Sequence, residues 1–331
     1  MDYERGLLDL MIARLDQLSF KEKYLLSELF ATEDDFIKQT GENIEILIGR
    51  KLAFPLNIDE ARSLAQRDEA QSRLRGISWV SCKSPAYPPL LREIYDPPVA
   101  LFYRGSLPNP EAPLAAIVGT RTPSPQAAAQ AYRIAHDLAR AGVSVVSGLA
   151  LGIDAMAHRG NVDGGAPNVA VLGSGLDKVF PSTNRTLAVR ILEGGGCLLS
   201  EYPPGDGPRK WHFPARNRII SGLARAVLIV EAPQKSGALI TARFALEHNR
   251  ELWVASCGVS EDGEQKDFFD KRGSSKLVED GAQIIRNASD ILGAWNMETT
   301  GFETPEITSG ASASGGLALA SSLAQSLGVT L

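Results

Sequence analysis

Val143-Ser144-Val145-Val146-Ser147-Gly148-Leu149-Ala150-Leu151-Gly152-Ile153-Asp154 reads as an apolar strand that turns through glycines into a helix. Valines without polar alternation mean a strand buried on both faces, the mark of a parallel sheet. The same unit recurs on either side. Candidate strands are 114–118, 143–147, 169–172, 197–200, 226–230 and 252–255, with helical patterns at 123–141, 153–163, 184–194, 214–223 and 238–249. Strands alternating with helices predict an α/β domain, an extended Rossmann-like, doubly wound and mostly parallel sheet.

The flanks differ. Residues 1–75 place Leu7, Leu8, Met11 and Leu15, then Leu25, Leu26 and Leu29, at helical spacing. Thr32 followed by Glu33, Asp34 and Asp35 sets a helix start, with acids at the positive end of the dipole. These residues predict a small all-α N-terminal domain. Residues 76–111 read as a connector, because the prolines after Tyr87 and Asp96 hold their predecessors extended. Leu101-Phe102-Tyr103 is expected there as an edge strand. The Rossmann-like domain occupies 112–293, with a loop over 257–273, an acidic run at 261–270 and short helices at 274–280 and 288–292. Residues 294–331 are rich in Ala, Ser, Gly and Thr, which predicts a flexible low-complexity tail, its last 15 residues enough for one weak helix.

A chain of 331 residues, 44% hydrophobic, can bury a full core in more than one domain. No apolar run approaches the roughly 20 residues that span a bilayer. Met1-Asp2-Tyr3-Glu4-Arg5 lacks the build of a secretion signal, and Cys82, Cys197 and Cys257 are too scattered for a paired motif. The expectation is a cytoplasmic protein with reduced thiols and no membrane contact. The net charge is −5, yet residues 112–256 hold 15 Lys/Arg against 10 Asp/Glu, and the remainder 19 against 29. Such asymmetry lets a middle domain attract phosphate while the flanks keep the chain dissolved.

In an open parallel sheet, ligands bind at the carboxyl ends of the strands. The first strand ends in Gly119-Thr120-Arg121-Thr122-Pro123, where Thr122 suits a helix cap and Pro123 the first helical position. Amides facing outward there would hold an anion, with Arg121 adding a charge, unless the turn is an ordinary one with an exposed arginine. The second strand ends at Ser147-Gly148 and the third at Gly173-Ser174-Gly175, with Lys178 where a dinucleotide fingerprint needs glycine. No Walker-type phosphate loop occurs. Nicotinamide chemistry and ATP hydrolysis are therefore unsupported, and no cofactor or metal is expected.

Lys210-Trp211-His212-Phe213-Pro214-Ala215-Arg216-Asn217-Arg218 packs cations and rings into nine residues. Guanidinium and ammonium groups hold phosphates, aromatic faces take unstacked bases, and single-stranded nucleic acid offers both. Lys210 and Phe213 stand just before a helix, with Arg216 and Arg218 in its opening turn. Cations there oppose the helix dipole, and an anionic partner would relieve the conflict. Otherwise one arginine pairs with Glu201 or Glu231 while Phe213 fills core. Those two glutamates each follow a strand, which aims both at one cleft. They either hydrolyse a substrate or hold Arg216, Arg218 or the Ser236-Gly237 loop, and without a nucleophile or metal the scaffold role is preferred. Asp154 and His158 share a helix face, but no further ligand completes a metal set, so they read as a cap and an internal hydrogen bond.

In order along the chain stand Val118-Gly119-Thr120-Arg121, Ser147-Gly148-Leu149-Ala150-x-Gly152-Ile153-Asp154 with His158, and Pro181-x-x-Asn184. Ser200-Glu201-Tyr202-Pro203, Phe213-Pro214-x-Arg216-Asn217-Arg218-Ile219-Ile220, and Glu231 with Ser236-Gly237-x-Leu239-Ile240-Thr241-Ala242 follow. This series resembles the DprA/Smf family of bacterial DNA-processing proteins from Pro88 to Leu292. The resemblance implies a homodimer that binds single-stranded DNA and delivers the recombinase RecA onto incoming strands in natural transformation. It implies DNA contacts at Gly119, Thr120, Arg121, Lys210 and Phe213, and a helical, SAM-like accessory domain at the N-terminus. With the residue-level reading, the candidate DNA-binding set is Gly119, Thr120, Arg121, Ser147, Gly148, Gly173, Lys210, Phe213, Arg216, Arg218, Ser236 and Gly237, with no catalytic residue. Where the family usually has Pro-Gly, this chain has Cys257-Gly258 and then an acidic insertion, and the 39 residues after Leu292 are too polar for the winged helix many members carry. Two alternatives stand: a nucleotide phosphoribohydrolase-like enzyme using Glu201 or Glu231, though its Pro-Gly-Gly-x-Gly-Thr-x-x-Glu pattern is missing, and a diverged nucleic-acid or nucleotide sensor in phage defence.

Overall fold

Short runs of Ala, Val, Ile and Leu bury both faces of the central strands, and the helices between them bury one stripe each. The computed structural model describes residues 7–260 and 269–297. Five helices come first: α1 (Leu8–Ala13), α2 (Phe20–Leu29), α3 (Glu33–Ile37), α4 (Gly41–Ile48) and α5 (Ile58–Leu74). Hydroxyl and amide caps start four of them: Ser19 with a full capping box, Thr32, Thr40 and Asn57. The Thr32 cap with its acidic first turn is the one the sequence predicts.

The sheet elements follow in the order β1 (Ser78–Ser81), α6 (Pro89–Arg92), β2 (Ala100–Gly105), β3 (Leu114–Val118), α7 (Pro125–Arg140), β4 (Ser144–Ser147), α8 (Ile153–Gly164) and β5 (Val169–Val171). Next come α9 (Arg185–Glu193), β6 (Cys197–Ser200), α10 (His212–Leu223), β7 (Ala226–Ile229), α11 (Ala238–Glu247), β8 (Glu251–Ala255), α12 (Arg272–Glu279), β9 (Gln283–Ile285) and α13 (Ala288–Ala294). Nine strands form one sheet in the order β1-β2-β6-β5-β4-β3-β7-β8-β9. All pairs from β6 to β9 are parallel, and β2 runs antiparallel to both its neighbours. The fold is the extended Rossmann-like, doubly wound α/β arrangement.

One face of the sheet packs Ala115, Ile117, Val145 and Leu228 against Ile134 and Leu138 of α7, Met156 of α8 and Ile291 of α13. The other packs Ala116, Val118, Val146 and Ile229 against Ile219 and Leu223 of α10 and Ala242 and Ala245 of α11. The core of the helical region joins this second face. Buried Asp9 fastens the two by accepting hydrogen bonds of 2.6 Å from Ser27 of α2 and from Ser81 of β1.

Two sequence expectations are corrected, and one strand is added to those expected. Leu101-Phe102-Tyr103 lies in β2, an inner strand between β1 and β6, so the connector supplies two strands and β1 forms the edge. The helix after β3 begins at Pro125 with Ser124 as cap, two residues beyond the Thr122-Pro123 pair that has the same chemistry. Gln283–Ile285 forms a ninth strand with two exposed residues, too short and polar to be read from hydrophobicity. The tail beyond 297 and most of the acidic run at 261–270 lie outside the described residues.

Candidate nucleic-acid interface

Strand order reverses between β3 and β7, whose connections leave in opposite directions, and this is where an open α/β sheet forms its crevice. A cleft of ≈ 590 Å³ opens there. The turn after β3 lines it with Gly119, Thr120 and Arg121, the approach to α10 with Lys210, α10 itself with Phe213, Arg216 and Asn217, and the loop before α11 with Pro233, Lys235, Ser236 and Gly237. Helices α10 and α11 both begin at this cleft, so their positive dipole ends favour an anion within it.

Eight of the twelve candidate residues meet here: Gly119, Thr120, Arg121, Lys210, Phe213, Arg216, Ser236 and Gly237. The turn after β3 departs from expectation in its amides. Thr120 N–H donates to the Glu231 carbonyl at 2.8 Å, Thr122 N–H to Thr120 Oγ1 at 3.3 Å, and Ser124 N–H to Glu231 Oε1 at 2.9 Å. Internal acceptors therefore hold three amides that local sequence alone would turn outward. What projects is the Arg121 side chain, exposed, with its guanidinium 5.8 Å from the Phe213 ring centre. A cation over that face packs the ring and leaves the charge in the cleft.

Ser147, Gly148 and Gly173 stand behind the cleft wall. Buried Ser147 Oγ donates to the Ile117 carbonyl at 2.7 Å, bracing β4 on β3. A Cβ at position 148 would run into the Arg216 guanidinium, and one at 173 would meet the Phe213 ring at 3.1 Å. The small residues make room for Arg216 and Phe213.

The two arginines of α10 have separate duties. The helix starts at His212, so Phe213 lies in its first turn and not before it. Arg216 is 5% exposed and donates to the carbonyls of Gly148 (2.6 Å) and Val171 and, through Nε, to Asn217 Oδ1 (3.2 Å). Burial lowers its pKa to about 10, against the pull of Asp154. Strand-end carbonyls and Asp154 thus relieve the conflict with the helix dipole inside the protein. Arg218 is clamped by Glu201 through both carboxylate oxygens (2.6 and 2.9 Å) and also pairs with Asp96. Burial opposes its charge, but Glu201 reverses this and leaves the pKa raised. Arg218 does not line the cleft.

The glutamates do not share the cleft. Glu201 holds Arg218 and lines a second cavity, while Glu231, 1% exposed, accepts the Ser124 hydroxyl at 2.7 Å beside the amide already noted. Both are scaffold, although Glu231 holds the β3 turn and neither arginine nor the Ser236-Gly237 loop. Asp154 and His158 also part company. Asp154 accepts from the amides of Gly148 (3.1 Å) and Ala150 (3.4 Å). Between them Leu149 adopts φ 55°, a left-handed conformation that costs a side-chain-bearing residue about 1–2 kcal/mol. Gly152 has φ 77° and a Cβ there would run into Thr120 O and the Arg121 backbone, so glycine is needed twice over.

His158 is fully buried, with Nδ1 2.7 Å from Asn168 Oδ1, and burial lowers its pKa from 6.5 to about 4. The unfolded chain binds this proton first as pH falls. Stability from neutral His158 is therefore complete above the unfolded value and lost as pH drops toward the folded one, a loss on the order of 3 kcal/mol. His158→Gln is expected to flatten this acid limb in urea melts taken at a series of pH values. An unchanged limb would assign it to other groups.

Sequence reasoning passes over three contributors. Lys235 carries no signal beyond a cation in a polar loop, yet it is exposed at the rim. Asn217 donates to the Gly237 carbonyl at 3.2 Å and ties α10 to the loop before α11. Phe180, 46% exposed, stands 5.7 Å from the Phe213 ring. Among the described residues, no group of three His, Cys, Asp or Glu could hold a metal ion, and no helix is long and apolar enough to cross a membrane.

Residues 78–296 match the family described as DNA recombination-mediator protein A. Protein Smf of Synechocystis sp. is 42% identical over 276 residues, covering 77% of this chain and 67% of that protein. DNA processing protein DprA of Streptococcus pneumoniae is 42% identical over 206 residues, covering 62% of this chain and 70% of that one. The X-ray structure of DprA from S. pneumoniae matches with a TM-score of 0.70 at 31% identity, over 88% of this chain and 98% of that one. A Helicobacter pylori DprA structure, described for its single-stranded DNA binding mode, matches with a TM-score of 0.56 at 28% identity, over 66% of this chain and 95% of that one.

Proposed function

This chain belongs to the DNA recombination-mediator protein A family, the DprA/Smf proteins, and from that premise we propose that its cleft at the β3–β7 crevice binds single-stranded DNA. One observation carries the reading. Arg121, Lys210 and Lys235 are exposed around the cleft and, among the described residues, form no ion pair, while Phe213 offers a ring between them. Unpaired cations at two helix N-termini crowd positive charge together, and a sugar-phosphate chain stabilises that arrangement. A ring accepts a base face whatever the base, which suits binding without sequence preference. The single-stranded DNA binding mode of the H. pylori relative supports the same ligand class.

The family membership supports a recombination mediator. Within that role, we assign the chain to a homodimer that loads RecA onto incoming single strands in natural transformation, acting in the cytoplasm without catalysis. The DNA contacts are Arg121, Lys210 and Phe213, with Gly119, Thr120, Ser236 and Gly237 shaping the walls. Arg216, Ser147, Gly148 and Gly173 support the cleft from behind, and Arg218 serves the fold. The hydrolase alternative places Glu201 or Glu231 in the cleft, and both are engaged elsewhere, while Asp154, the carboxylate in the cleft lining, is held by the amides of Gly148 and Ala150.

Titrating labelled oligo-dT and a duplex of equal length at two salt concentrations tests this reading. The single strand is expected to bind more tightly, with affinity falling as salt rises. Phe213→Ala should weaken it by about 1–3 kcal/mol with little change in salt slope. Equal affinity for duplex and single strand at both salts would overturn the assignment.

A further inference from the structure

The start of α10 is a ridge with a cavity on each side. One is the cleft, lined by Lys210 and Phe213; the other, of ≈ 340 Å³, is lined by Tyr202, Asp206, Arg209, Trp211 and His212. Trp211 is 65% exposed, whereas Trp253 and Trp295 are 3% and 5% exposed. An indole left in water at this fraction is poorly stabilised in the free protein. It nevertheless has neighbours of its own. It stands edge-on to His212, with ring centres 5.8 Å apart, and His212 is stacked on Tyr202 at 3.7 Å. The Arg209 guanidinium lies 5.6 Å from the indole centre.

We propose that Trp211 and Arg209 form a second stacking station for the same single strand, on the far side of the ridge from Phe213. The inference rests on the DNA-binding reading of the cleft. Consecutive Arg209 and Lys210 face different cavities, so a sugar-phosphate chain crossing the ridge meets a cation on each side. Phe213 and Trp211 repeat the same division for rings. The strand therefore leaves the cleft over the ridge, one base on Phe213 and a later base on Trp211. Asp16, Asp68, Glu201 and Asp206 outnumber the cations Arg14, Lys23 and Arg209 in the lining of this second cavity, so the base enters it and the phosphates stay outside, at its rim.

Oligo-dT of about 4 nucleotides, enough for the cleft, and of about 12, enough to cross the ridge, separate the two stations. The longer oligomer should quench tryptophan fluorescence in the parent and bind Trp211→Ala about 5- to 150-fold more weakly. The shorter should bind parent and variant alike. Trp211→Phe should restore most of the affinity, and Arg209→Ala should lower the salt slope for the longer oligomer by about 1. Parental affinity of Trp211→Ala for the longer oligomer overturns the second station, and so does an equal loss for both lengths. If Phe213→Ala also binds both oligomers as the parent does, the cleft reading fails with it. A loss in Phe213→Ala alone leaves the cleft standing.

Discussion

Asp154→Ala is expected to cost the fold about 2–5 kcal/mol, chiefly from two buried amides left without an acceptor, read as a lower midpoint in urea melts. Asp154 is 6% exposed, and burial raises its pKa while Arg216 pulls it back down. In the native state the carboxylate offsets a guanidinium that is itself 5% exposed. Its removal leaves Arg216 with carbonyl partners but no counter-charge. It also removes the acceptor of Gly148 and Ala150, the amides that hold Leu149 at positive φ. Asp154→Asn keeps the shape and one acceptor, and should fall between parent and alanine. A loss below about 1 kcal/mol for the alanine variant would mean that Arg216 is stabilised by its carbonyls alone.

Uninterrupted apolar strands make the sheet legible. Leu114–Val118 and Cys197–Ser200 lie where continuous hydrophobicity places them, because central parallel strands have no solvent face to interrupt the pattern. Gln283–Ile285 lies at the sheet edge and lacks that signature. Thr122-Pro123 and Ser124-Pro125 are both hydroxyl–proline starts, equal by local chemistry. Glu231, more than one hundred residues away, selects Ser124. The cations divide for the same reason. Local sequence presents Lys210, Arg216 and Arg218 as one charged run, and only the assembled sheet delivers carbonyls and Asp154 to Arg216 and Glu201 to Arg218. Lys235 carries no local signal, because a single lysine in a polar loop looks the same whether or not a cleft lies beside it.

Removing two of the three exposed cations of the cleft should abolish most binding without harming the fold. Arg121 and Lys210 are exposed and unpaired among the described residues, so Arg121→Ala/Lys210→Ala takes no partner from a buried group. A charge-assisted hydrogen bond contributes about 1.5–3 kcal/mol, so losing two predicts roughly 10²- to 10⁴-fold weaker binding. Lys235 remains, and with it some residual attraction. Phosphate contacts carry no base information, so the loss should be the same for every sequence.

The most direct test is the slope of log affinity against log salt for oligo-dT binding to the parent and to Arg121→Ala/Lys210→Ala. Two lost phosphate contacts should make the slope shallower by about 2, with urea stability unchanged. A double variant that binds with the parent's affinity and slope would contradict a cleft in which these two cations hold the DNA backbone.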